Sequence, residues 1–166
     1  MPQPFIADAM LLKLARWLRI FGADVEYAAI PDNELLALLK AHPRKVLLTQ
    51  DVQLHERAQR RGLKSFLVPR GVPMEEQIAS IFKEFRLKLE DFPSKTVCPE
   101  CNGELKTVGK KEVKGRILEN IYKRHKKFWL CAKCGKVYWE GSHWKRINET
   151  AKKVGALLSN PESPGA

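Results

Sequence analysis

Lys45-Val46-Leu47-Leu48-Thr49-Gln50-Asp51 is the stretch on which the fold turns. Its apolar core, Val46-Leu47-Leu48, leaves no polar face for water. A strand of this kind suits a parallel sheet covered by helices on both sides. Similar short runs lie on either side, at residues 4–7 and 24–29 before it and 65–68 after it. The segments between them change period. Met10, Leu14, Trp17/Leu18 and Phe21 repeat at helical spacing, and Gly22 ends the stripe. Residues 32–40 present Leu35, Leu36, Leu38 and Leu39, residues 52–61 form a polar helix ended by Gly62, and residues 75–85 form a fourth. Strand and helix alternate four times, which predicts an α/β class with a parallel sheet and helices on both faces.

The alternation stops at Phe92-Pro93-Ser94, so a first domain is expected over 1–93. Beyond it stand the chain's four cysteines, in the pairs Cys98-Pro99-Glu100-Cys101 and Cys131-Ala132-Lys133-Cys134. Two Cys-x-x-Cys turns supply the four thiolates of a closed structural zinc site. Gly103 and Gly135 follow the turns, where backbone near a metal often needs positive φ. The gap between the pairs exceeds the usual ribbon spacing of about 15–20 residues, so it should carry an insertion. A redox pair or two disulfides are the competing readings. The duplication, and the lack of a charged n-region and apolar run at Met1 to Phe5, favour a metal in a reducing cytoplasm. The small domain is placed at 94–150, with strands over 103–108 and 137–139. A helix over 143–158 capped by Ser142 should run into a mobile tail, together filling 151–166.

Charge is uneven. Residues 1–95 hold 15 Lys and Arg against 12 Asp and Glu, net +3; residues 96–166 hold 15 against 7, net +8. A surplus gathered on the cysteine-bearing third points to a polyanion partner. The densest part is Lys123, Arg124, His125, Lys126 and Lys127, read as an RNA-binding patch, with a solvated face as the bland alternative. Were the cluster only such a face, Lys13, Arg16 and Arg19 would be next in line. Trp129, Tyr138, Trp139 and Trp144 crowd the second cysteine pair; packing suits Trp139 and Trp144, while Trp129 is open to either packing or base stacking. No apolar stretch approaches the roughly 20 residues that span a bilayer, so no membrane role is expected.

Acids follow the first three strands: Asp8, then Asp32 and Glu34, then Asp51. In a parallel α/β sheet the carboxyl ends of the strands share the edge where ligands bind. Carboxylates gathered there repel one another unless a cation intervenes, and an all-oxygen set suits Mg²⁺ or Mn²⁺. Each aspartate also sits where a helix N-cap is expected, and Glu34 would complement a helix dipole. Capping and ligation are compatible.

Phe5-Ile6-Ala7-Asp8-Ala9-Met10-Leu11, Lys13 through Arg19, Asp32 through Leu36 and Leu47 through Asp51 resemble the Mut-seven C-terminal ribonuclease family. So do Cys98 through Leu105, and Cys131 through Cys134 with the following Gly135-Lys136-Val137-Tyr138-Trp139-Glu140-Gly141-Ser142-His143-Trp144. The resemblance runs from about residue 4 to residue 150. It implies a PIN-like three-layer α/β/α nuclease domain with a C-terminal zinc ribbon, with Asp8, Asp32 and Asp51 as metal-binding acids and Glu34 as a fourth. It also draws attention to Lys13 and Arg16, which share a helix face beside Asp8 and would hold a scissile phosphate. Gln50 departs from a basic residue usual in the family, Asn33 from a second acid, and Leu12 from a glycine. The expected function is a metal-dependent ribonuclease using Mg²⁺ or Mn²⁺, with structural zinc and RNA as partner, tRNA and ribosomal RNA among the candidates. The preference for RNA over DNA comes from the resemblance. The alternatives are a non-catalytic RNA- or ribosome-binding protein and a zinc-ribbon adaptor for another protein.

Overall fold

In the computed structural model, which describes residues 2–93 and 95–160, the run Val46–Thr49 is a fully buried strand. Four parallel strands, β1 (Pro4–Asp8), β2 (Asp24–Ala28), β3 (Val46–Thr49) and β4 (Ser65–Leu67), lie in the order β2-β1-β3-β4. The helices α1 (Leu12–Ile20), α2 (Asp32–Ala41) and α3 (Val52–Arg60) connect them, and α4 (Met74–Glu84) follows. Strand side chains alternate between two layers. Phe5, Ala7, Val46 and Leu48 pack with Leu14, Leu18, Ile78 and Phe82, whereas Ile6 and Leu47 pack with Leu35, Leu36, Leu39 and Leu54. The result is the expected three-layer α/β/α arrangement.

The first helix starts later than its apolar stripe suggested. Asp8 accepts a hydrogen bond from the Met10 amide, and residues Ala9–Leu11 form a tight 3₁₀ turn. This takes Met10 out of phase with the core and leaves it 53% exposed. Helix α1 ends as expected. Gly22 has φ +98°, and the Ala23 amide closes back onto the Leu18 carbonyl. A Cβ on Gly22 would also lie 2.9 Å from the Glu90 side chain.

The cysteine-bearing part is a three-stranded antiparallel sheet of β5 (Leu105–Val108), β6 (Phe128–Cys131) and β7 (Val137–Tyr138), with β6 central. Strand β6 begins directly after the basic cluster at residues 123–127, where no strand was expected; its Phe128-Trp129-Leu130-Cys131 run is apolar and pairs with both neighbours. The insertion forms two short helices, α5 (Lys110–Val113) and α6 (Glu119–Arg124). Val113 and Phe128 are fully buried beside Val137 in a small core of their own.

Helix α7 (His143–Ser159) starts beside this sheet but ends in the first core. Val154 is fully buried among the residues of the parallel-sheet layer, flanked by Ile147, Ala151 and Leu158. Ser142 precedes the helix, but its hydroxyl makes no capping bond. Ser94, at the expected boundary, and 161–166, most of the expected mobile tail, lie outside the described residues.

Candidate active site and cysteine cluster

Asp8, Asp32 and Asp51 come to one edge of the parallel sheet because each follows the carboxyl end of a strand. Asp8 ends β1 and is buried, Asp51 follows β3, and Asp32 opens α2 just after β2. The Thr49 hydroxyl donates a short hydrogen bond to Asp8 Oδ2 and accepts the Asp51 amide at 3.0 Å. Thr49 thereby joins two of the acids. Burial raises the pKa of the Asp8 carboxyl above its ordinary range. The hydrogen bonds from Thr49 and Met10 oppose that rise, and the negative charges of Asp51 and Asp32 add to it. Asp8 therefore lies within reach of the negative charge of both other acids.

Capping accounts for two of them. Asp8 caps the 3₁₀ turn, and Asp51 caps α3 by accepting the Leu54 amide at 3.1 Å. Asp32 departs from the expectation. Pro31 holds the N-cap position and Asp32 is the first helical residue, its carboxylate bound to Arg57 Nη1 at 2.9 Å. Arg57 Nη2 also donates to Asn33 Oδ1 at 2.7 Å. Glu34 is exposed in the first turn of α2. Gln50 donates to the Pro69 carbonyl at 3.0 Å. Sequence reasoning gave no role to Thr49 or Arg57. The signal for Thr49 was present, as a polar residue closing a buried strand just before an acid. Arg57 carried none, because its partners lie on another helix.

The candidate RNA-binding cations disperse. Lys13 and Arg16 are exposed on α1, and Arg16 pairs with Glu100 of the first cysteine turn at 3.1 Å. Lys123 lies 3.7 Å from Glu119, Lys127 lies over the Trp129 ring, and Lys126 is exposed. Arg124 faces a cleft that Lys13 and Arg16 also line. Arg19 is buried, donating to the Val25 and Pro99 carbonyls, and cannot be the RNA contact once considered for it. Trp129 is buried and stacked on Trp144, which settles its role as packing.

The four cysteine sulfurs lie within 4.8 Å of one another, the one His, Cys, Asp or Glu group among the described residues that closes so tightly. Cys98 Sγ lies 3.8 Å from Cys134 Sγ, and Cys101 Sγ 3.4 Å from Cys131 Sγ. A tetrahedral ion with metal–sulfur bonds of about 2.3 Å needs edges of about 3.8 Å, so this donor set could hold a metal such as zinc. Burial opposes ionisation of Cys131, but the amides of Cys134 and Lys133 outweigh it and lower the pKa to about 7. Burial first, and then the contact with Cys131, push Cys101 up to about 12. Gly135 has the expected positive φ, +77°, whereas in the first turn Asn102 takes it, at +63°. Gly103 is needed for space instead, since a Cβ there would lie 3.0 Å from Cys131 Sγ. Asn102 also fastens the cluster to the sheet edge, donating to Asp24 Oδ1 at 2.6 Å and accepting the Val25 amide at 3.2 Å.

With this geometry in place, the family model for the Mut7-C RNAse domain matches residues 3–151. The chain belongs to that family. The match takes in both the parallel sheet with its acidic edge and the cysteine cluster, so the Mut7-C domain here is the whole two-part assembly up to the middle of α7. The family description indicates a ribonuclease-type function, with RNA as the implied substrate. Comparison with curated proteins and with solved structures gave no match. No helix among the described residues is long and apolar enough to cross a membrane.

Proposed function

We propose that this Mut7-C chain is a PIN-like, metal-dependent ribonuclease whose cysteine cluster holds structural zinc in a ribbon that helps bind RNA. The observation that carries the reading is the meeting of Asp8, Asp32 and Asp51, from three separate elements, at the carboxyl edge of a parallel sheet. Asp8 is hard to ionise there, and an oxygen-seeking cation such as Mg²⁺ or Mn²⁺ would offset both its burial and its repulsion by the other acids. When bound, such an ion supplies an activated water and stabilises charge on the phosphodiester. Thr49 keeps Asp8 and Asp51 in register, and Glu34 is a further acid within the first turn of α2. Lys13, in the first turn of α1, stands at the end of that helix nearest Asp8 and would neutralise a backbone phosphate. Thiols kept free for a metal suit a reducing compartment such as the cytoplasm.

One observation favours a non-catalytic RNA- or ribosome-binding protein. Arg57 already supplies a positive charge to Asp32, which weakens the need for a cation. Turnover separates the two readings. Cleavage of single-stranded RNA should require Mn²⁺ or Mg²⁺, stop on chelation of that ion and disappear in Asp8→Asn. RNA that is bound but left intact with either ion would sink the enzymatic reading.

A further inference from the structure

A cleft of about 750 Å³ lies between α1 and the cysteine-bearing half, closed at the sides by α6 and the start of α7. Its charge is one-sided. Lys13, Arg16, Arg124, Lys136 and Arg146 line it against the single carboxylate of Glu100. Glu100 is shared by Arg16 at 3.1 Å and Lys136 at 3.4 Å. Lys13, Arg124 and Arg146 have no ion-pair partner within 4 Å among the described residues, although Arg146 lies over the Trp17 ring at 5.8 Å and its charge reaches Glu75. Three like charges left around one concavity favour an anion that follows the wall, not a small neutral ligand.

The cleft also holds an aromatic face with no ring partner. Trp17 stacks on Phe21 at 5.7 Å and Trp129 on Trp144 at 5.9 Å. Trp139 packs, as expected, against the core of Val113, Phe128 and Val137, but it is only half-buried, lines the cleft and has no ring partner among the described residues. Gly141 makes room for its indole, since a Cβ there would lie 2.8 Å from Trp139 Nε1. Lys13, also on this wall, lies in the first turn of α1, five residues after Asp8 in the chain.

We infer that the cleft seats an unpaired stretch of RNA, one base stacked on Trp139 and the adjoining phosphates on Lys13, Arg124 and Arg146. The inference rests on the nucleic-acid reading proposed above and narrows its substrate to RNA with a single-stranded segment. Every base offers a π-face to an indole once it is unstacked, whereas a duplex keeps those faces inside. Cations beside the aromatic take the phosphates, so recognition tolerates sequence but not pairing.

The test uses the full chain carrying Asp8→Asn, so that RNA stays whole, with fluorescein-labelled oligo(U) and the oligo(A)·oligo(U) duplex as probes. Anisotropy should give tighter binding of the single strand. Trp139→Leu should weaken single-strand binding by about tenfold and reduce the quenching of tryptophan fluorescence by the RNA, what remains coming from Trp17 and Trp144 in the same cleft. Arg146→Glu, an exposed site on α7, should also weaken it and flatten the log–log salt slope by about 0.7 or more. Neither change should alter duplex binding as much. Equal affinity for duplex and single strand, no binding of oligo(U) by the parent, or unchanged oligo(U) affinity in Arg146→Glu or in a folded Trp139→Leu would each overturn the inference. Metal-dependent turnover by the wild type is measured separately. Turnover with unchanged variant binding removes the cleft and keeps the nuclease; lost variant binding without turnover keeps the cleft and removes the nuclease.

Discussion

The cysteine cluster and the carboxylate edge are two sites of opposite construction. Each cysteine pair is local: a four-residue turn sets two sulfurs together, and the β5–β6–β7 sheet needs only to bring the turns face to face. The result closes on itself, all four sulfurs within 4.8 Å. The carboxylate edge has no local unit. Its acids come from the ends of separate strands, and they meet because parallel strands start at one edge and finish at the other. They stay apart enough to be bridged by Thr49 and countered by Arg57. A closed thiol site suits structure, whereas oxygen ligands drawn from separate strand ends would suit a cation that keeps part of its water.

The sharpest way to break this contrast is to open the closed site. Cys98→Ser or Cys134→Ser should release about one zinc per chain and unfold the β5–β7 sheet, because the binding energy of such a site is folding energy. The α/β/α layers should keep their secondary structure. Metal analysis with circular dichroism checks this, and native protein purified without chelator but free of zinc would remove the premise.

At the open site the same kind of change should act on rate alone. Asp8→Asn and Asp51→Asn should each lower Mn²⁺-dependent RNA cleavage by about a thousandfold, several kcal/mol of lost charge stabilisation. Asn caps a helix about as well as Asp, so the turns at residues 8 and 51 should survive. Cleavage at wild-type rates in both variants would show that these acids are only caps.

A smaller effect should appear in stability. The Asp8 carboxyl is raised above its ordinary value of 3.8, chiefly by burial. Below that value Asp8 is protonated in folded and unfolded chains alike, so its ionisation costs nothing. As pH rises through the raised folded value, the wild type loses stability that Asp8→Asn keeps. Without Mg²⁺ or Mn²⁺ the variant should therefore melt higher near neutrality, with the gap closing as pH falls towards 3.8. Adding Mn²⁺ should reverse the order. An identical pair of melting curves at pH 7, with and without Mn²⁺, would contradict both the burial and the cation.

The smallest effect concerns Arg57. Its pair with Asp32 is partly exposed, at 36% and 47% of the side chains, so Arg57→Ala should change folding stability by no more than about 1 kcal/mol. Titration calorimetry should show tighter Mn²⁺ binding, because Asp32 loses a competing cation. Weaker binding would mean that Arg57 positions Asp32 for the metal.

Much of this contrast was legible before any coordinates. The Val46-Leu47-Leu48 run suits a doubly covered strand and is one, and both Cys-x-x-Cys turns carry their chemistry in four residues. The acids were legible as a set because strand ends in a parallel sheet share an edge. What escaped was contact across long separations: Arg57 on Asp32, Arg19 on the Pro99 carbonyl, and Val154 in the core of the first sheet. Local phase errors had local causes. Met10 fell out of the α1 stripe because Asp8 tightens the turn before it. The Phe128–Cys131 strand was masked by the lysines that precede it.

The amino-acid order by itself determined the alternating α/β half and the four-thiol donor set, since each depends on short-range period or spacing. It also put Asp8 and Asp51 at cap positions, whereas Asp32 moved one place into its helix. Tertiary structure alone decided where charge and aromatic surface end up. Lys123 through Lys127, adjacent in the chain, point to different neighbours, while Lys13, Arg124, Trp139 and Arg146, far apart in the chain, line one cleft. The reason is physical. Helix and strand follow from nearest neighbours along the backbone, but a concavity exists only after α1, the small sheet and α7 have packed, and exposed side chains carry no periodic signal of the space they will face.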